Sequence, residues 1–157
     1  MKRSLLVYSF ISLLLFSCSK SNDPSQASSN TWTFAGTTYT AGTVTYVNGG
    51  SVSNLSAAAT GATSTSADGL VFAFTPPPTG NCQMLISKSN DPNTVLVAVS
   101  KLSGTTTTYY LNDITSTKVN VSINNSKLSA SFQGKIWLHN MTNYSDSAQL
   151  SVGTISQ

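Results

Sequence analysis

The side chains able to do chemistry are few, and they gather toward the C-terminal end of the chain. One histidine occurs in 157 residues: His139, in the run Lys135-Ile136-Trp137-Leu138-His139-Asn140. Alternation along an extended segment sends Ile136 and Leu138 to one side and Trp137 and His139 to the other. With Asn140, Asn143 and Tyr144 close behind, an outward-facing Trp137 makes an aromatic plate with amide neighbours. A sugar ring stacks on such a surface, which pairs an apolar face with a polar rim. Trp137, His139, Asn140 and Tyr144 are therefore the candidate ligand-binding residues. The competing expectation is that Trp137 packs into the core with its strand covered on both sides. Residue type alone favours packing, because large aromatics in strands are mostly core.

Catalytic constellations are thin. Beyond residue 30 the carboxylates are Asp68, Asp91, Asp113 and Asp146, and no glutamate occurs anywhere. Nucleophile-and-base chemistry needs groups that converge at hydrogen-bonding distance. The chain has no Gly-x-Ser-x-Gly turn, no Gly-x-Gly-x-x-Gly or phosphate-binding loop, and no paired histidines. No catalytic residue, metal ligand set or cofactor is expected, and a small hydrolase using His139 with an aspartate is the least favoured function class. Asn90-Asp91-Pro92-Asn93 holds oxygen ligands but too few carboxylates for calcium, and reads as an Asx-type turn. Cys82 shares an alternating face with Met84 and Ile86 and reads as a small buried hydrophobe. Asp146-Ser147-Ala148 matches an Asp-Ser/Thr-apolar O-glycosylation pattern, a match that so hydroxyl-rich a chain produces by chance.

The elements that must position these residues are strands. Thr, Ser and Val dominate, and Gly, Asn, Asp and Pro interrupt the chain at short intervals, which leaves helices little to work with. Leu70, Phe72 and Phe74 alternate, as do Val95, Val97 and Val99. Val119, Val121 and Ile123, a turn at Asn124-Asn125, then Leu128, Ala130 and Phe132 form a hairpin with one dry face and one wet one. Residues 32–39 read as another hairpin and 148–155 as the last strand. Breaks are expected at Asn48-Gly49-Gly50, at Gly61 and Asp68-Gly69, at Pro76-Pro77-Pro78 through Gly80, at residues 90–93, at Ser103-Gly104 and at 140–146. This spacing predicts an all-β fold of eight to ten short strands. An antiparallel β-sandwich of immunoglobulin-like style leads, and a small β-barrel is the alternative.

The N-terminus states an address. Met1-Lys2-Arg3 precedes an apolar run over residues 4–16, too short to span a bilayer and of the length of a signal h-region. Leu15-Phe16-Ser17-Cys18 resembles a bacterial lipobox. The resemblance implies cleavage before Cys18, a diacylglycerol thioether on its sulfur and acylation of the new N-terminus. Two or more acyl chains, at about 0.8 kcal/mol per buried CH₂, anchor a protein stably. The implied organisation is a signal peptide over 1–17, a lipidated Cys18 with a flexible Ser/Asn-rich tether over 18–30, and a single β domain over 31–157. The chain resembles the small lipoproteins of Bacteroidetes, whose export signals place a lysine and acids after the cysteine; Lys20 and Asp23 fit that pattern. The implied location is the outer membrane, facing the cell surface or the periplasm.

Charge excludes one class of partner. Eight Lys and Arg face five acids, but removal of Lys2 and Arg3 with the signal leaves six against five, and the remaining lysines are singly spaced. Nothing clusters to neutralise a phosphate backbone, so no nucleic acid is expected. The leading expectation is a non-enzymatic binding module of the cell envelope, held to the membrane through the acyl chains on Cys18 and binding a glycan or an envelope protein. An accessory subunit of an outer-membrane assembly is the alternative.

Overall fold

The computed structural model describes residues 30–88 and 91–157. The expected signal peptide, the lipidation site Cys18, the tether up to Ser29, and Asn90 of the expected turn lie outside the described residues. Twelve strands follow in order: β1 (Thr31–Phe34), β2 (Thr37–Asn48), β3 (Ser53–Ala59), β4 (Ser66–Thr75), β5 (Cys82–Ile86), β6 (Thr94–Ser103), β7 (Thr106–Asn112), β8 (Lys118–Asn124), β9 (Lys127–Ser131), β10 (Ile136–Asn140), β11 (Ser147–Val152) and β12 (Ile155–Ser156). No described residue is helical. The strands form one sheet, antiparallel except where β5 runs parallel to β6.

Two tight turns show how local sequence sets register. Phe34 pairs with Thr37 across Ala35 and Gly36, both at positive φ, and Asn124 pairs with Lys127 across Asn125 and Ser126, also both positive. Two-residue loops with left-handed centres match the right-handed twist of the strands they join. The second turn falls one residue later than its Asn-Asn signal, because alternation of Ile123 and Leu128 into the core fixes the pairing.

The sheet closes on itself. Starting at β6, the neighbours run β4, β3, β2, β1, β11, β10 and β7, and β7 pairs back onto β6. Of the two architectures expected, the eight-strand closed circuit makes this a barrel, with β5, β8, β9 and β12 branching from it as additional strands. Closure removes most of the free edges that a sandwich of the same strands would leave. One long edge stays open: β2 pairs with β1 over residues 37–40 and with β3 over 41–48, so the β1-side edge of residues 43–48 has no partner among the described residues.

β6 is the branch point. One of its edges pairs with β4 throughout, while the other gives Thr94 and Val95 to β5 and residues 98–103 to β7. In the gap between them the Val97 N–H donates to Asn112 Oδ1 at 2.6 Å, and the Asn112 amide donates to the Asp113 carbonyl at 2.8 Å. Asn112 is 1% exposed, and its amide takes the place of a strand at the fork. β7 therefore ends there, and the chain turns away at Asp113.

Barrel and branch share one core. Phe72 stacks on Phe74 at 6.3 Å between centroids and meets Phe132, which follows β9, edge-on at 6.5 Å. Leu128, Ala130, Val119 and Val121 from the branch join Leu55, Leu70, Leu138 and Leu150 from the barrel. Truncating Phe72 to alanine is expected to cost about 3–5 kcal/mol.

Three sequence expectations are corrected. Asp68-Gly69 lies inside β4 rather than in a turn; a Cβ on Gly69 would stand 2.8 Å from Ser100 Oγ, so this glycine serves a close approach of strands. Residues 148–155 are split, because the chain leaves β11 at Gly153 and re-enters pairing as β12 against β9. Cys82 is exposed, not buried: it opens β5, and only Met84 and Ile86 reach the core. Alternation assigns a face but does not show where the core stops.

Candidate functional site

β10 positions the site through strict alternation. Ile136 and Leu138 are buried in the core, and Trp137 stands 54% exposed on the outer face. The packing expectation for Trp137 is overturned, since no described strand covers the outer side of β10. Trp137 and His139 form one row on that face, with α-carbons about 6.7 Å apart along the strand, and Lys135, just before the strand, lines the same groove. Across the ladder to β11, Trp137 faces Gln149 and His139 faces Ser147.

The other side of β10 is where a groove opens. β7 pairs only with Leu138, His139 and Asn140, because β7 stops at the Asn112 fork. Trp137 and Ile136 thus have no neighbour there. The space, about 540 Å³, is lined by Asp113, Ile114, Thr115, Lys135, Trp137 and Ser147 among others. Ile114 is 69% exposed and gives the groove an apolar side to match the indole.

Four charged or aromatic side chains meet at one end of the groove. Asp113 Oδ1 accepts from Lys88 Nζ at 2.9 Å, and Asp113 Oδ2 lies 3.2 Å from His139 Nε2. The Tyr144 hydroxyl donates to the same Oδ2. The rings of His139 and Tyr144 stack 4.3 Å apart at 7°, and His139 Nδ1 lies 3.3 Å from the Tyr144 carbonyl oxygen. Both imidazole nitrogens thus face acceptors within the protein. The Tyr144 hydroxyl first, then the Lys88 ammonium, holds the Asp113 carboxyl below the usual carboxylate range. The same contacts raise the Tyr144 phenol and the Lys88 ammonium above their ordinary values.

Behind this quartet lies a second aspartate. Asp146 Oδ2 accepts from Asn140 Nδ2 at 2.8 Å and from the Tyr110 hydroxyl at 2.9 Å. Asn140 Oδ1 in turn accepts from the Thr142 N–H and hydroxyl, both at 2.9 Å. These neutral donors, Asn140 foremost, lower the Asp146 carboxyl. Burial, then the bond to Asp146, raises the Tyr110 phenol. The pair fastens both ends of the loop over residues 141–146.

Of the four residues expected at the site, Trp137 and His139 share a row, Tyr144 lies over His139, and Asn140 points the opposite way and fastens the loop. Alternation with Trp137 could have added Lys135. Nothing local marks Lys88, Asp113, Ile114 or Thr115, which arrive through the register of β7 against β10 and through the fork. At the remaining places of interest, the Thr94 hydroxyl donates to the Asp91 carbonyl at 2.6 Å, which is turn chemistry, and no group of three or more His, Cys, Asp or Glu suited to a metal occurs among the described residues. The chain matches no protein-family model, no curated protein and no solved structure.

Proposed function

We propose that this chain is a non-enzymatic binding module of the cell envelope, anchored to the outer membrane through acyl chains on Cys18, whose groove beside Trp137 takes a sugar ring. The observation that carries the reading is the exposed indole of Trp137, fixed by a core-buried strand and flanked by Gln149, Ser147 and the Ile114 side chain. An apolar plate edged by amide and hydroxyl groups suits a pyranose, which has C–H faces and an equatorial ring of hydroxyls. A rigid sheet face presents this surface with little ordering cost on binding. The engaged nitrogens of His139 support binding over catalysis, since a general base needs a nitrogen directed at the proton it removes.

The test is a glycan titration followed by tryptophan fluorescence. Trp32 is buried in the core and stacks on Tyr39, so a ligand-dependent change reports on Trp137. Binding by the wild-type protein, weakened about tenfold or more in Trp137→Ala with the fold intact by circular dichroism, is the expected result. A Trp137→Ala protein that binds as well as wild type ends the reading. The lipid anchor is tested separately: Cys18→Ala should release the protein from the membrane fraction, and continued membrane association would refute that part.

The accessory-subunit alternative draws on a different place, the open edge of β2 over residues 43–48. Extended partners add to such edges through main-chain hydrogen bonds. Recovery of a stoichiometric complex that a proline at Thr45 disrupts would favour it over glycan capture.

A further inference from the structure

We propose that the sugar held in the Trp137 groove carries a carboxylate, and that Lys135 receives it; this deepens the stacking reading and rests on it. The argument is one of charge left over. Two cations and one carboxylate line this end of the molecule: Lys88, Lys135 and Asp113. Lys88 and Asp113 neutralise one another at 2.9 Å. Both Asp113 oxygens are occupied within the protein, Oδ1 by Lys88 and Oδ2 by His139 and Tyr144. Asp113 therefore has little acceptor capacity to offer sugar hydroxyls, and its charge is largely cancelled for an approaching anion.

Lys135 is different. It is exposed and lines the same groove as Trp137, two residues before it in the chain, and no carboxylate pairs with it among the described residues. A hydroxyl group is a poor match for an unpaired ammonium, whereas a carboxylate forms a charge-assisted hydrogen bond with it. Geometry points the same way. A carboxyl carbon on a pyranose lies at the ring's edge, near its plane, so a ring stacked on Trp137 projects the carboxylate sideways along the sheet. One direction along the sheet leads to Lys135. The other leads toward His139 and Asp113, where the Lys88 ammonium is already spent on Asp113 and offers an incoming carboxylate no free partner. The Ser147 hydroxyl in the groove and the exposed Gln149 amide across the ladder from Trp137 can serve ring hydroxyls.

A carboxylated sugar ring occurs as a uronic acid within a polysaccharide and as a terminal nonulosonic acid on a glycan branch. The test uses the full chain in detergent micelles and three probes: an oligosaccharide containing glucuronate, its carboxyl-reduced neutral counterpart, and a sialyl-oligosaccharide. At low salt the wild-type protein should bind at least one acidic probe about three- to tenfold more tightly than the reduced form, and the preference should shrink as salt rises. Lys135→Gln should bring the acidic probe to the affinity of its reduced counterpart, whereas Trp137→Ala should weaken every probe. The better acidic probe identifies the source. Equal binding of charged and reduced forms, unaltered in Lys135→Gln, overturns the carboxylate inference and leaves the stacking reading in place. Absence of binding to all three probes overturns both.

Discussion

Asp113 and Asp146 lie on either side of one short loop, and each accepts a hydrogen bond from a tyrosine hydroxyl. Their other partners separate them. Asp146 is bonded by Asn140, a buried amide on the core side of β10, and by Tyr110 of the neighbouring strand, all neutral groups. Asp113 is bonded by Lys88 and His139 on the outer side, beside an open groove. The same carboxylate-phenol contact thus fastens a loop in one place and neutralises a charge at a binding surface in the other. The difference teaches that the neighbours of a polar pair decide its role: neutral donors from two paired strands fasten a loop, and ionic donors beside a groove tune a field.

The sharpest way to break the contrast is Asn140→Ala. It removes a buried amide together with its bonds to Asp146 and to the Thr142 N–H, two exposed groups that water can then reach, so stability in urea should fall by about 1–2 kcal/mol. A loss under about 0.5 kcal/mol, the range of ordinary surface changes, would show that this cluster is not an anchor. Tyr110→Phe should cost less, about 1 kcal/mol, while Tyr144→Phe should leave the melting temperature nearly unmoved. Equal losses for the two phenylalanines would erase the distinction.

Acid titration sharpens it further. Both carboxyls are lowered in the folded state, so the stability each contributes is fully present above the unfolded aspartate value near pH 4 and is lost as the pH falls through the depressed folded value. Carbon-13 NMR should find both below the ordinary aspartate range, and Lys88→Gln should raise Asp113 alone. A shift of Asp146 in that variant would mean that the clusters are coupled. The smallest effect is that of salt: raising ionic strength should weaken the Asp113 contacts and leave those of Asp146 unchanged, read as a selective rise of the Asp113 titration midpoint.

Much of the fold was legible because alternation and turn chemistry are local. The Leu70, Phe72, Phe74 and Val95, Val97, Val99 faces, the hairpin ending in Leu128 and Ala130, and the inward Ile136 and Leu138 all appear as the pattern predicts. Closure was not legible, because it depends on β7 meeting β6 and on an amide at position 112 filling the fork, which are long-range facts. The site divides along the same line. Trp137 and His139 belong to one strand and can be paired by counting, whereas Lys88 and Asp113 join them only through three strands' registers. Trp137 itself was decided by coverage, which alternation does not encode.

The first strand is one of the links of the ring. β1 lies between β2 and β11, and the Ser156 N–H donates to Asn30 Oδ1 across 126 residues. Loop closure of that length must precede the pairing that rewards it, which makes folding slow. A ribosome that has yet to release β11 holds a chain whose ring is still unclosed. Order of synthesis thus becomes a timing device: the groove, which needs β10 and Ser147 of β11, does not exist until nearly the whole chain has emerged.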